Sequence, residues 1–193
     1  MNKFENYLIR RIDKQKKSLK DFSSFPSYIE IETVNACNAR CPMCTINDWE
    51  RNYPVMRDDV FNKISEELIE NKKFLKRVSL YRDGEPLIDK KLADRVSKFT
   101  DNGILNTSIA TNVSLLSEKK SKDLLEAGLG LIIMSIDSLE KDVFEKIRVR
   151  LKHEVVIDNA VNFFKLRDKI NPNCRIWVRM IRQESNKHEW DNY

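Results

Sequence analysis

The chain is predicted to be an α/β protein, an open partial barrel of parallel strands joined by crossover helices. Three observations carry this. Short apolar runs alternate with longer amphipathic ones along most of the 193 residues. Gly103 and Gly128 fall just past two of the amphipathic runs, where a left-handed residue commonly stops a helix. A content of 41% hydrophobic and 34% charged residues describes a globular domain able to bury a core.

The elements follow in order. Phe4, Leu8 and Ile12 recur every four residues among Lys3, Arg10, Arg11, Lys14, Lys16, Lys17 and Lys20, which predicts an N-terminal helix with one apolar stripe and a solvated basic surface. That helix and a polar spacer form a first segment, residues 1–27; residues 28–193 form the core domain. Candidate strands run from Tyr28 to Thr33, Val78 to Tyr81, Leu105 to Ala110, Leu131 to Ile136 and Arg175 to Ile181. Between them, Val60, Phe61, Ile64 and Leu68 mark one helix, Leu92, Val96 and Phe99 a second, and Leu124 and Leu125 a third. Right-handed crossovers between parallel strands place the loops after the strands at one edge, where ligands bind. The wholly apolar run Leu131 to Met134 predicts a strand buried on both faces. Asn186 to Trp190 reads as the opening of one more helix.

Bulk properties narrow the function classes. No apolar run of about 18 residues exists and the N-terminus is polar, so neither a membrane span nor an export signal is expected. The net charge of +5 is modest, and the basic N-terminal face is read as solvated surface rather than a nucleic-acid interface. Cysteine usage does not resemble a secreted disulfide framework, which places the protein in a reducing compartment, the cytoplasm. Cys174, with no ligand spacing around it, is expected to be a buried structural thiol.

The sharpest signal is Cys37-Asn38-Ala39-Arg40-Cys41-Pro42-Met43-Cys44, directly after the first strand. It offers three thiolates and no fourth. A closed structural zinc needs four ligands, and here Cys174, His153 or His188 would have to fold back to complete it. An iron-sulfur cube held by three cysteines instead leaves one iron open. Three weaker signals follow later strands: Asp83-Gly84-Glu85-Pro86, Ala110-Thr111-Asn112, and Ser135-Ile136-Asp137-Ser138.

The CxxxCxxC spacing and the order of the other motifs resemble the radical S-adenosylmethionine (SAM) superfamily, in particular the catalytic domain of SPASM-type members. The resemblance implies a partial (βα)6-type barrel, of which about five βα units are present, with the chain cut short at its C-terminus. It implies a [4Fe-4S] cluster on Cys37, Cys41 and Cys44, whose open iron holds SAM and cleaves it to a 5'-deoxyadenosyl radical. Gly84 and Glu85 would surround the SAM ammonium, Asn112, Ser135 and Asp137 would lie near the nucleoside and methionyl parts, and Arg179 would meet the carboxylate. Met43, Asp83, Val113 and Ser138 replace an aromatic residue and three glycines of the family pattern. The implied partners are a flavodoxin or ferredoxin donor and a peptide, protein or sugar-like substrate. The competing class is an inactive fragment or a non-catalytic cluster-binding protein.

Overall fold

The computed structural model describes residues 25–50 and 54–193. The N-terminal helix expected over residues 1–24 lies outside them. Five strands, β1 (Tyr28–Glu30), β2 (Arg77–Ser79), β3 (Thr107–Thr111), β4 (Leu131–Ser135) and β5 (Arg175–Arg179), form one sheet in the order β1-β2-β3-β4-β5 with every neighbour parallel. Sequential order without a reversal is what right-handed crossovers produce when they all wind one way. The crossovers carry α1 (Asp58–Glu70), α2 (Leu92–Thr100), α3 (Glu118–Glu126), α4 (Lys141–Ile147) and α5 (His153–Ile170). This is the partial barrel expected, with five parallel strands.

The core lies between sheet and helices. β4 is buried at every position, as its apolar run requires. Phe99 of α2, Leu124 of α3, Phe144 of α4 and Phe163 of α5 are buried behind it, each stabilising the fold by about 1.5–3 kcal/mol. Helix α1 buries Phe61 and Leu68, but Val60, taken from the sequence as part of the same stripe, is exposed. Gly103 and Gly128 have φ of 82° and 80°, the left-handed turns expected after α2 and α3.

Strand limits differ from the sequence reading for identifiable reasons. β1 ends at Glu30 because the Glu32 carboxylate turns to accept the amides of Asp83 and Gly84, drawing the chain off the sheet. β3 starts at Thr107; Leu105 is 68% exposed, and Asn106 bonds the Lys76 carbonyl. β5 stops at Arg179 because the Ile181 amide donates to Asp137 Oδ1 at 2.8 Å. The segment opened by Asn186 forms a 3-10 turn, Lys187–Asn192. Helices α4 and α5 are not among the elements the apolar periodicity predicts. The mean apolar signal of α5 is weak, since only Val156, Ala160 and Phe163 of its 18 residues are buried.

Candidate active site

The cysteine loop leaves the carboxyl end of β1 and is tied down on three sides. On the first, the Glu85 amide donates to the Ala36 carbonyl at 2.8 Å. Gly84 makes that contact possible: a Cβ there would stand 1.9 Å from the Val34 carbonyl oxygen. On the second, Asn112 Nδ2 donates to Asn38 Oδ1 at 2.9 Å, and Asn38 Nδ2 donates to Ser114 Oγ at 2.8 Å. On the third, the Arg40 amide donates to the Val149 carbonyl at 3.0 Å, just after α4. The Arg40 side chain bonds the carbonyls of Cys37 and Ala39, both at 2.7 Å, stiffening the loop from outside.

The three cysteines line one cavity of about 170 Å3, together with Gly84, Glu85, Asn112, Ser135 and Arg179. Four strand ends thus converge on the thiols, as a common carboxyl edge requires. Asp137 is the exception among the residues singled out. It is fully buried behind the wall, where Oδ2 pairs with Arg148 Nε at 2.6 Å. A buried carboxylate needs a partner, and here the partner is a cation of the same chain.

Glu85 is also more committed than the sequence suggested. One oxygen accepts from Thr111 Oγ1 at 2.7 Å and from the Leu87 amide at 3.1 Å; the other accepts from the Asn112 amide at 2.8 Å. Its carboxylate staples the turn after β2 to the end of β3. Burial raises its pKa against these three donors. The next residue along β3's exit, Val113, holds a φ of 68°. For a β-branched residue that costs about 1–2 kcal/mol. Its complete burial, and two hydrogen bonds from Asn159 Nδ2 to the Val113 and Ser114 carbonyls, hold it there.

Arg148 is the site residue that sequence reasoning missed. It lines the cavity, and its Nη1 donates to Cys41 Sγ at 3.7 Å. Nothing distinguishes it from Lys146, Arg150 and Lys152 in the sequence; the usable signal was Asp137, whose burial demanded a cation. Burial pushes the thiols of Cys37 and Cys41 up, and for Cys41 the Arg148 guanidinium opposes this.

The donor set fits a cluster. Among the described residues, Glu140, His188 and Glu189 are the group whose possible ligand atoms all lie within 4.8 Å of one another; the three thiols do not stand so close together. Zinc–sulfur bonds of about 2.3 Å would draw them closer, whereas a cube binds each thiolate at a different iron. Nor, among the described residues, do the candidate fourth zinc ligands approach. Cys174 is buried beside the amino end of β5, at the opposite edge of the sheet, its thiol pushed up to about 11 by burial. His153 packs on Phe144, and His188 meets Glu140.

Comparison with known proteins agrees with this geometry. The family described as the radical SAM superfamily matches residues 31–173. A tungsten-containing aldehyde ferredoxin oxidoreductase cofactor-modifying protein of Pyrococcus furiosus is 34% identical over 114 residues, covering 58% of this chain and 31% of that protein. A GTP 3',8-cyclase of Helicobacter pylori is 27% identical over 193 residues, covering 86% and 59%. The chain thus spans between about a third and three-fifths of the length of these curated relatives. Streptococcus suis SuiB bound to S-adenosylmethionine shares the fold over 100% of this chain and 44% of its own, with a TM-score of 0.67 and 19% identity. BtrN in complex with AdoMet and 2-DOIA covers 79% and 56%, with a TM-score of 0.59 and 24% identity. With three thiols on one cavity at the carboxyl edge of a parallel sheet, and a family match across most of its length, this chain belongs to the radical SAM superfamily, whose cofactors are a [4Fe-4S] cluster and SAM.

Proposed function

We propose that the chain is the catalytic core of a radical SAM enzyme that abstracts hydrogen from a peptide, protein or sugar-like substrate. The observation that supports it most is the convergence of three thiols and four strand-end motifs on one cavity. Cys37, Cys41 and Cys44 would hold the cluster, which when bound would supply the one-electron chemistry that SAM cleavage requires. Gly84 seats the cysteine loop against the turn after β2, leaving the turn's backbone beside the thiols as acceptors for an ammonium. Ser135 and Asn112 offer polar contacts from the ends of β4 and β3, and the Arg179 fork suits a carboxylate. Glu85 and Asp137 act one step back, Glu85 by holding Thr111 and Asn112, Asp137 by holding Arg148. The electron donor is of the flavodoxin or ferredoxin type.

A second substrate reading, a nucleotide, is favoured by relatives named GTP 3',8-cyclase, five more of which are 26–29% identical to this chain. One experiment addresses both. Anaerobically reconstituted protein is reduced with dithionite in the presence of SAM, with Cys41→Ala as control, and 5'-deoxyadenosine is assayed. Deoxyadenosine from the wild type alone is expected. Iron and sulfide uptake without deoxyadenosine would favour a cluster-binding protein that turns nothing over. Deuterium carried into deoxyadenosine from labelled GTP, an aminocyclitol or a peptide then identifies the substrate class.

A further inference from the structure

Two ligand sulfurs have a side-chain N–H donor beside them, and these two donors differ in charge; the Ala39 amide also donates to Cys37 Sγ, at 3.4 Å. Asn112 Nδ2 lies 3.8 Å from Cys37 Sγ as a neutral donor, while Arg148 Nη1 lies 3.7 Å from Cys41 Sγ as a cationic one. Arg40, in the same loop, is not an alternative, because its side chain is directed to the carbonyls of Cys37 and Ala39. The planar guanidinium lets Arg148 serve Asp137 through Nε at 2.6 Å and Cys41 through Nη1 at once, which the single ammonium of a lysine does not reproduce.

From this geometry we propose that the Arg148–Asp137 pair sets the reduction potential of the cluster held through Cys41. The inference rests on the cluster reading of Cys37, Cys41 and Cys44. The pair carries no net charge, but it is oriented: the guanidinium faces the sulfur and the carboxylate stands behind it, buried completely. Reduction of the cluster by one electron from an external donor adds one negative charge at this wall. A cation and an N–H···S bond at the wall stabilise that charge and raise the potential, and partial burial keeps water from screening the effect. Asp137 is a positioning residue; its charge opposes the effect, while its Oδ2 ion-pairs with Arg148 Nε at 2.6 Å and its Oδ1 is anchored by the Ile181 amide, which together fix where the guanidinium points.

The two ends of the pair therefore move the potential in opposite directions. The test is an anaerobic dithionite titration, with mediators, of the reconstituted full chain, followed by the electron paramagnetic resonance signal of the reduced cluster. Arg148→Gln is expected to lower the midpoint potential and Asp137→Asn to raise it. Arg148→Lys should fall between wild type and Arg148→Gln, and Lys146→Gln, which removes the same charge from an exposed position on α4, should leave it unchanged. Arg148→Gln and Asp137→Asn clusters that titrate at the wild-type potential overturn the proposal while leaving the cluster reading intact. If Arg148→Gln takes up no cluster, Asp137→Asn decides alone: an upward shift sustains the proposal and an unchanged potential sinks it. A wild type that assembles no such cluster overturns the reading of the three cysteines, and this inference with it.

Discussion

Among the described residues two buried arginine–aspartate pairs stand out, and they are put to different uses. Behind α2, Arg95 Nε meets Asp89 at 2.8 Å with both side chains nearly sealed, at 3% and 2% exposure. The guanidinium lies over the Phe61 ring at 4.4 Å and its Nη2 donates to the Met56 carbonyl at 2.9 Å, so it is enclosed by the chain itself. At the cysteine loop, Arg148 is 12% exposed and Asp137 fully buried. One edge of that guanidinium remains on a cavity wall, against a sulfur. The first pair fastens α1 and the turn after β2 to α2; the second presents a cation to a place where chemistry is possible. Identical functional groups take different roles according to what the fold leaves open beside them.

The comparison can be broken first at the sealed pair. Asp89→Ala leaves the buried Arg95 guanidinium with the half-exposed Asp58 carboxylate at 3.4 Å as its remaining counter-charge and is expected to cost about 3 kcal/mol, read from urea unfolding. Replacing both partners, Asp89→Leu with Arg95→Met, should recover most of that loss, because the apolar surroundings then have nothing to solvate. Next comes Gly84→Ala. Its methyl would collide with backbone rather than a flexible side chain, so the cysteine loop must leave its seat; sharply reduced iron and sulfide uptake is expected, with far-ultraviolet circular dichroism retained. Arg148→Ala leaves Asp137 with the Ile181 amide as a donor and water within reach of the cavity, so a smaller loss of about 1–3 kcal/mol is expected in the same unfolding assay.

Glu85 supplies a pH test at the cavity. Burial raises its folded-state pKa above the ordinary 4.5, so the folded chain binds more protons there than the unfolded chain does. Its contribution is therefore fully present below 4.5 and is lost as pH rises through the folded value. Urea midpoints of wild type and Glu85→Gln, compared across that window, should differ in slope, with the wild type falling more steeply towards neutrality. The smallest effect belongs to the surface. Lys122 pairs with Glu118 one helical turn away in open solvent, and Lys122→Ala should leave the urea midpoint within experimental error.

Much of this was legible in the residues. The cadence of short apolar runs between helical ones located the five strands, and it was strongest at β4, which is buried on both faces, whereas β1 and β5 are largely exposed. The thiols, Gly84, Asn112, Ser135 and Arg179 were brought to one cavity because each ends or follows a strand of the same parallel sheet. What could not be read was the choice of partners. Asp137 looked like a ligand contact because a carboxylate after an apolar strand needs compensation, yet the sequence does not say whether a ribose or an arginine supplies it. Glu85 was read as an acid facing the ligand, and it spends its oxygens on Thr111, Leu87 and Asn112. Helix α5 escaped notice because its apolar face is narrow, and Val113 in a left-handed turn runs against its own backbone preference until Asn159 and the core enforce it.

The contact between Arg148 and Cys41 spans 107 residues of sequence, and that between Asn112 and Cys37 spans 75. The three thiols lie as close in sequence as the ligands of a zinc knuckle, but the wall around them is built from distant parts of the chain. Those parts meet only after β2, β3 and β4 have docked, and contacts of such separation form slowly because large loops must close before any contact rewards them. Assembly of the metal centre is thereby coupled to completion of the sheet, so the nascent thiols stay without their wall for as long as folding takes.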